Sequence, residues 1–121
     1  MYKIKIELDG LPPTLNSIGR KHHWFKVKTA REWLHKTTLA VSDKIPPTPI
    51  KKFKLILTRH SSSEPDYDGL VSTFKHCVDA LTRCGIIEDD KLSNTGQWDC
   101  RWEKAPRGKG KVTIEVIQCD T

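Results

Sequence analysis

Several features that define other protein classes are missing from this sequence. No apolar run approaches the roughly 20 residues that a membrane-spanning helix needs. The opening segment, MYKIKIELDG, alternates charged and apolar residues and lacks the continuous apolar stretch of a signal peptide. We therefore expect a cytoplasmic protein that does not associate with a membrane.

The few cysteines also exclude two common kinds of site. Cys77, Cys84, Cys100 and Cys119 form no CxxC pair, and no histidine follows them at zinc-finger spacing. This pattern argues against a structural zinc site. A chain without a secretory signal usually keeps its thiols reduced, which argues against a disulfide framework.

Acidic residues are in the minority. The chain has 15 Asp and Glu against 21 Lys and Arg, which gives a net charge of +6. A basic balance favours polyanionic partners, chiefly nucleic acid. At 121 residues the chain has the commonest size of one domain, so we expect a single domain over residues 1–121.

Hydrophobic periodicity predicts four strands and two helices. Strands are predicted at 2–8, 50–60, 97–105 and 111–119, and helices at about 29–43 and 69–84. Thr29 is the expected N-cap of the first helix, Gly85 suits a left-handed position after the second, and PRGKG (106–110) is expected to join the last two strands as a hairpin. This order predicts an α/β (α+β) domain in which a small four-stranded mixed sheet packs against two or three helices.

Two groups of carboxylates flank the second predicted helix. The first acidic cluster consists of Asp66 and Asp68, and the second consists of Glu88, Asp89 and Asp90. Carboxylates spaced i, i+2 in extended backbone point to one side and repel each other unless a cation or a proton lies between them. Such oxygen ligands suit Mg²⁺. The alternative is that Asp68 caps the following helix and Asp66 is a solvated loop residue.

The distance between the clusters restricts how they can act together. A helix over 69–84 spans about 24 Å, so its two ends cannot share one ion directly. Residues 86–90 can cover about 17 Å when extended, so the chain could run back along the helix. Otherwise the second cluster must come from another subunit. Local spacing leaves both arrangements open.

The segment 64–90 resembles the RusA family of Holliday-junction resolvases. The family signature runs as aspartate, any residue, aspartate, asparagine, leucine, then a lysine, DAL and a paired DD. This chain has DYDGL, KHCVDAL beginning at Lys75, and IIEDD, in that order. The segment LPPTLNSIG, which contains Asn16, is similar to the proline-rich opening of the family. The likeness covers most of the chain in outline, but only 64–90 is specific.

The resemblance implies a function and a set of site residues. Asp66, Asp68 and Asp90 would bind the metal with support from Asp89, and Lys75 would lie near the scissile phosphate. The implied activity is Mg²⁺-dependent cleavage of four-way (Holliday) junctions by paired phosphodiester hydrolysis in a homodimer, with Mn²⁺ as an alternative ion and no small-molecule cofactor. A single RusA-like endonuclease domain of this kind would act in DNA recombination and repair.

Two departures from the family pattern concern the start of this helix. Gly69 replaces the usual asparagine, and Ser72 stands where the family has its lysine, so Lys75 lies three residues later than expected. If the helix begins at Asp68, Lys75 is displaced by about 4.5 Å along the axis and rotated by about 300°. Alternatively the loop is longer and Ser72 is the N-cap.

A basic segment with aromatic residues, GRKHHWFKVKTAR (19–31), is the predicted DNA-binding region. Its cations can neutralise phosphates, and Trp24 or Phe25 can stack on exposed bases. The predicted DNA-binding residues are Asn16, Arg20, Lys21, Trp24, Lys26, Lys28 and Arg31. The alternative is a solvated basic loop with Trp24 packed on the core.

Two other functions stay open at this point. One is an endonuclease for flaps, forks or other branched DNA. The other is a non-catalytic DNA-binding protein of the same fold, for which the three-residue shift of Lys75 is the strongest argument in the sequence.

Overall fold

The α+β class predicted from the sequence is confirmed by a computed structural model, which describes residues 2–13, 23–89, 91 and 98–119. The strands are β1 (Lys3–Asp9), β2 (Phe53–Ser61), β3 (Asp99–Lys104) and β4 (Lys111–Gln118). The helices are α1 (His23–Val41), α2 (Tyr67–Thr73) and α3 (Lys75–Arg83). The strands form one mixed sheet, as expected.

The sheet order is β1-β4-β2-β3, in which β4 is antiparallel to β1 and β2, and β3 is parallel to β2. The predicted hairpin between β3 and β4 is therefore wrong, because β2 lies between them. The chain does turn at Gly108, whose φ is 84°. However, Ala105 N donates to Ser61 O, and Gly10 N donates to Gly110 O, so the connection crosses the end of β2.

The core lies between the helices and one face of the sheet. Alternate residues of the strands point into it, as the period of two in the sequence predicts. The buried inward residues are Ile6 and Leu8 in β1, Phe53, Leu55 and Leu57 in β2, and Val112, Ile114 and Val116 in β4. The opposite face of the sheet carries polar and charged side chains.

Helix α1 begins earlier than predicted, at His23 instead of Thr29. Thr29, Trp33, Thr37 and Val41 follow one another at intervals of four and are all buried, so they form the inward face of α1. Thr29 is therefore not an N-cap but a core-facing residue inside the helix. Within the described ranges, no helix combines the length and the apolar character needed to cross a membrane.

The predicted helix over 69–84 is present as α2 and α3, which are separated by Phe74. Phe74 is fully buried, and its N–H donates to Val71 O at 3.2 Å, an i−3 bond that tightens the turn. The predicted left-handed position after the helix is confirmed, because Gly85 has φ 83°. This turn allows Ile86 N to donate to Leu81 O.

The two ends of β2 provide a frame for the site. We call the end of the sheet where β2 finishes the Ser61 end, and the opposite end the Phe53 end. Ile50 N donates to Ile86 O, and Glu88 N donates to Ile50 O, both at 3.0 Å. The chain that leaves α3 therefore returns to the Phe53 end of the sheet.

Candidate functional site

The first acidic cluster lies at the Ser61 end, at the start of α2. Asp66 is the N-cap, and its Oδ1 accepts a hydrogen bond from Gly69 N at 2.8 Å. Asp68 is in the first turn, and both side chains are exposed. The capping residue is thus Asp66, whereas the capping alternative assigned that role to Asp68. The sequence pattern correctly indicated that a helix begins here.

Lys75 is exposed as the first residue of α3. Ser72 lies inside α2, and its hydroxyl donates to Gly69 O at 2.9 Å, so the alternative in which Ser72 is the N-cap is wrong. The seven positions from Asp68 to Lys75 make nearly two helical turns, about 10 Å of rise. An unbroken helix would place Lys75 close to the face that carries Asp68, but here α2 ends at Thr73 and α3 begins at Lys75.

The second acidic cluster lies at the other end of the sheet. Glu88 is hydrogen-bonded to Ile50, and Asp89 Oδ1 accepts from Lys91 N at 2.9 Å. Asp90 lies outside the described residues. The nine residues of β2 separate the two clusters, and at about 3.3 Å per residue this strand is about 26 Å long. Up to Asp89 the chain does not run back along the helices.

The described part of the chain brings no three His, Cys, Asp or Glu side chains together as a metal-binding group. The first cluster contributes two carboxylates, and the described members of the second contribute two more, at the far end of α3. Of the predicted metal ligands that the structure describes, Asp66 and Asp68 therefore lie at one end of the sheet and Asp89 lies at the other.

A residue that the sequence patterns did not single out, Arg59, lies beneath the first acidic cluster. It occupies an inward position of β2 and is only 9% exposed. Its Nη1 donates to Pro12 O at 2.7 Å and to Thr73 Oγ1 at 3.2 Å. Burial lowers the pKa of Arg59. A signal was present, because Arg59 continues the inward series Phe53, Leu55, Leu57 with a charge where an apolar residue is expected.

The loop between β2 and α2 forms a cleft around Arg59. The cleft has a volume of about 250 Å³ and is lined by Leu11, Arg59 and residues 61–66. Ser61 braces the loop, because its hydroxyl accepts from Trp102 Nε1 at 2.9 Å and donates to Ser63 O at 2.8 Å. The cleft is thus built from a buried strand position and a loop that is hydrogen-bonded to β3.

A larger basic cleft adjoins it at the Ser61 end. It has a volume of about 840 Å³, shares Leu11 with the Arg59 cleft, and is lined by the basic side chains of Lys104, Lys109 and Lys111. Lys111 pairs with Glu7 and lowers the pKa of that carboxyl. The other two lysines are exposed on β3 and on the connection between β3 and β4. In the sequence, two of these lysines, Lys109 and Lys111, flank Gly110, the last residue of the segment predicted as a hairpin connection.

The predicted DNA-binding residues fall into two groups. Asn16, Arg20 and Lys21 lie outside the described residues. Trp24, Lys26, Lys28 and Arg31 are exposed on α1, and Lys28 Nζ lies 5.4 Å from the centre of the Trp24 ring.

Trp24 is 65% exposed, so the alternative in which it packs on the core is wrong. From His23 onward the predicted basic loop is a helix. The four exposed residues are therefore held on a helical surface.

Two contacts fix the direction of α1. In its C-terminal half, Lys36 Nζ donates to Asp9 O at 3.1 Å, at the Ser61 end of the sheet. Beyond its C-terminus, Lys44 O accepts from the Tyr2 hydroxyl at the Phe53 end. The N-terminal part of α1, with its exposed cations, therefore lies on the same side of the molecule as the first acidic cluster.

The open face of the sheet differs from the Ser61 end because its charges neutralise one another. Arg101 pairs with Asp99 at 2.7 Å, which lowers the pKa of the Asp99 carboxyl, and Lys5 lies 3.7 Å from Glu115. A polyanion gains little from such a surface. Exposed cations outside these pairs lie at both ends of the sheet: Lys104 and Lys109 at the Ser61 end, and Lys3, Lys51 and Arg83 at the Phe53 end.

The chain matches no protein-family model. No curated protein gives a significant match to it either.

Proposed function

We propose that this chain is a Mg²⁺-dependent endonuclease that resolves four-way DNA junctions as a homodimer. One observation carries the proposal: the exposed first acidic cluster lies at the Ser61 end, where the lysines of the basic cleft and the cations of α1 also lie. Carboxylates alone repel DNA, whereas the surrounding cations attract it. An acidic pair inside a DNA-attracting surface fits a metal that acts on a phosphate.

The first cluster suits Mg²⁺ in both ligand type and ligand number. This ion is often bound by one or two carboxylates together with waters and substrate phosphate oxygens. The N-cap hydrogen bond engages Oδ1 of Asp66, and a carboxylate can bind a cation while it accepts hydrogen bonds. Asp66 and Asp68 would hold the ion. When bound, Mg²⁺ acts as a Lewis acid on the phosphate and lowers the pKa of water.

Lys75 has a separate task in this proposal. Phosphodiester hydrolysis builds negative charge on the phosphate oxygens, and a nearby cation stabilises that charge. Lys75 is exposed, and its long side chain leans towards the N-terminal side of α3, the side on which α2 and Asp68 precede it in the chain. Because of its position, we assign Lys75 to charge stabilisation and not to metal binding.

In a homodimer, the second acidic cluster of one subunit could contribute ligands to the metal site of the other subunit. In one copy the described residues of the two clusters lie at opposite ends of β2, a strand about 26 Å long. In a two-fold dimer, the first cluster of one subunit can meet the second cluster of the other, and the same contact occurs twice. Two composite sites related by a two-fold axis suit a junction whose own two-fold symmetry requires paired cuts.

A second candidate function, a non-catalytic DNA-binding protein, is favoured by one specific observation. The hydrogen bond from Gly69 N to Asp66 gives this carboxylate a structural role that needs no metal. The basic surface at the Ser61 end would then be the whole functional site. Cutting of flaps or forks, the other alternative, differs from the main proposal only in substrate.

A cleavage assay separates these functions. Labelled four-way junctions, flaps, forks and linear duplexes are incubated with the protein in Mg²⁺ or in EDTA. We expect junction cutting that needs Mg²⁺ and falls by about 100-fold or more in Asp66→Asn and Asp68→Asn, because a catalytic metal supplies several kcal/mol. Asp43→Asn, an exposed aspartate paired with Lys44, is the matched control and should cut normally.

Each alternative has its own outcome in the same assay. Preferential cutting of flaps or forks would support the branched-DNA endonuclease. DNA binding that persists in EDTA, together with no cutting of any substrate in Mg²⁺ or Mn²⁺, would support the non-catalytic function and contradict the main proposal.

A further inference from the structure

Arg59 is a buried cation that has no buried counter-ion among the residues that the structure describes. In the described ranges it forms no ion pair, and both of its hydrogen bonds go to neutral oxygens, those of Pro12 and Thr73. Charged side chains are almost never this deeply buried unless they are paired. An anion that approaches from the solvent would balance the charge of this guanidinium.

The guanidinium retains hydrogen-bonding capacity on the side of the cleft. Arginine has five N–H donors, and both contacts of Arg59 use Nη1, which carries two of them. The Nε and Nη2 donors have no partner among the residues that the structure describes. Arg59 also lines the cleft. The fork of Nε and Nη2 donors matches two oxygens of one phosphate group.

The size and rim of the cleft suit a single phosphate group. Its volume of about 250 Å³ falls below the roughly 300–1,000 Å³ of pockets that enclose whole small-molecule ligands. Ser62 and Ser63 are exposed at the rim, where their hydroxyls can donate to an anion. The two hydrogen bonds of Ser61 hold the loop in position, and an ordered loop reduces the entropy cost of binding.

Two carboxylates also line this cleft, those of Glu64 and Asp66. Both repel a bare anion. A divalent cation at the first acidic cluster would neutralise this repulsion, so the phosphate and the metal should strengthen each other's binding by the same factor. This coupling is expected where an anionic backbone passes a metal-bearing carboxylate.

From these observations we infer that the Arg59 cleft is a phosphate-binding site that seats one backbone phosphate of the nucleic acid beside the first acidic cluster. The choice of nucleic acid as ligand rests on the proposed function. Arg59 is then a positioning residue that sets the register of the strand on the protein. The structural alternative is that Arg59 only ties Pro12 to Thr73 of α2.

DNA binding in EDTA, measured over a series of salt concentrations, tests the inference without any cutting. Arg59→Gln should weaken duplex binding about tenfold for all sequences and reduce the slope of log affinity against log salt by about 1. Arg59→Lys should retain the slope but recover only part of the affinity, because lysine lacks the planar fork. Arg101→Gln is the matched control and should leave both unchanged, since Arg101 is paired with Asp99.

The wild-type protein supplies a second readout that does not depend on the stability of a variant. The NMR signal of the Arg59 Nε–H group is followed while a short single-stranded oligonucleotide or inorganic phosphate is added. We expect a saturable shift with the oligonucleotide that occurs at lower concentration when Mg²⁺ is present. A shift with inorganic phosphate but none with the oligonucleotide would overturn the assignment of a nucleic-acid backbone.

The inference also fails if the Arg59 signal responds to neither ligand, or if Arg59→Gln loses only stability and keeps the wild-type affinity and salt slope. These failures are distinct from failure of the proposed function. If the protein cuts no DNA but shows the oligonucleotide shift, the phosphate-binding site is supported and the nuclease function is contradicted. If the protein cuts junctions but neither the Arg59→Gln affinity nor the Arg59 NMR signal changes, the nuclease function is supported and the phosphate-binding site is contradicted.

Discussion

The described residues of the two acidic clusters lie at opposite ends of the same pair of helices, but their surroundings differ. At the Ser61 end, Asp66 and Asp68 are exposed. Asp66 lines the same cleft as the buried Arg59, and the basic cleft adjoins it. At the Phe53 end, the acids directly follow Ile86 and Ile87, which are fully buried, and Glu88 is bonded to the main chain of Ile50.

This difference shows that two acidic clusters of similar sequence can be held in position by different interactions. The described part of the second cluster follows the buried Ile86 and Ile87 and is bonded to Ile50, so its position depends on packing as well as on main-chain hydrogen bonds. The first cluster is held by a helix cap and a braced loop, so its position depends on hydrogen bonds. Substitutions at each cluster distinguish these interactions, and the expected loss of stability is larger at the second cluster than at the first.

The largest expected effect is on the apolar anchor of the second cluster. Ile87→Ala should lower the free energy of unfolding by about 2–5 kcal/mol, because it leaves a cavity at a fully buried site. Ile45→Ala is the matched control: Ile45 is 50% exposed, and its loss should change stability by no more than about 0.5 kcal/mol. Urea unfolding measures both. A similar small change in both variants would contradict core anchoring of the second cluster.

A smaller effect is expected at the helix cap of the first cluster. Asp66→Ala should cost about 1 kcal/mol of stability, because Gly69 N loses its acceptor. Asp66→Asn keeps a capping oxygen and should stay within a few tenths of a kcal/mol of the wild type. Asn removes the charge, so this variant should lose Mg²⁺-dependent cutting and remain stable. Equal destabilisation by Ala and Asn would mean that the charge itself supports the fold.

Much of the fold could be predicted because its signals are local. Alternation in the strands and the glycine at position 85 gave the correct elements and the correct left-handed turn. The hairpin between β3 and β4 was wrong because strand partners depend on non-local pairing, and the turn at Gly108 does not encode them. The early start of α1 was missed because His23 and Trp24 carry no capping signal.

The candidate site divides in the same way. Asp66 and Asp68 could be predicted because their spacing and the helix that follows are local features. The contribution of Arg59 depends on Pro12 and Thr73, which are distant in sequence and meet only in the fold. The relation between the two clusters involves a full length of β2 and a proposed second subunit, which no local spacing reveals.

Subunit mixing tests most directly the central claim, that the two acidic clusters form one catalytic site across a dimer. Asp66→Asn and the double variant Asp89→Asn/Asp90→Asn are prepared with different affinity tags, mixed under conditions that exchange subunits, and purified through both tags. We expect each variant alone to be inactive and the mixed dimer to regain Mg²⁺-dependent nicking of one strand, because one of its two sites carries every carboxylate. A mixed dimer as inactive as its parents, or full activity of the double variant alone, would contradict the account.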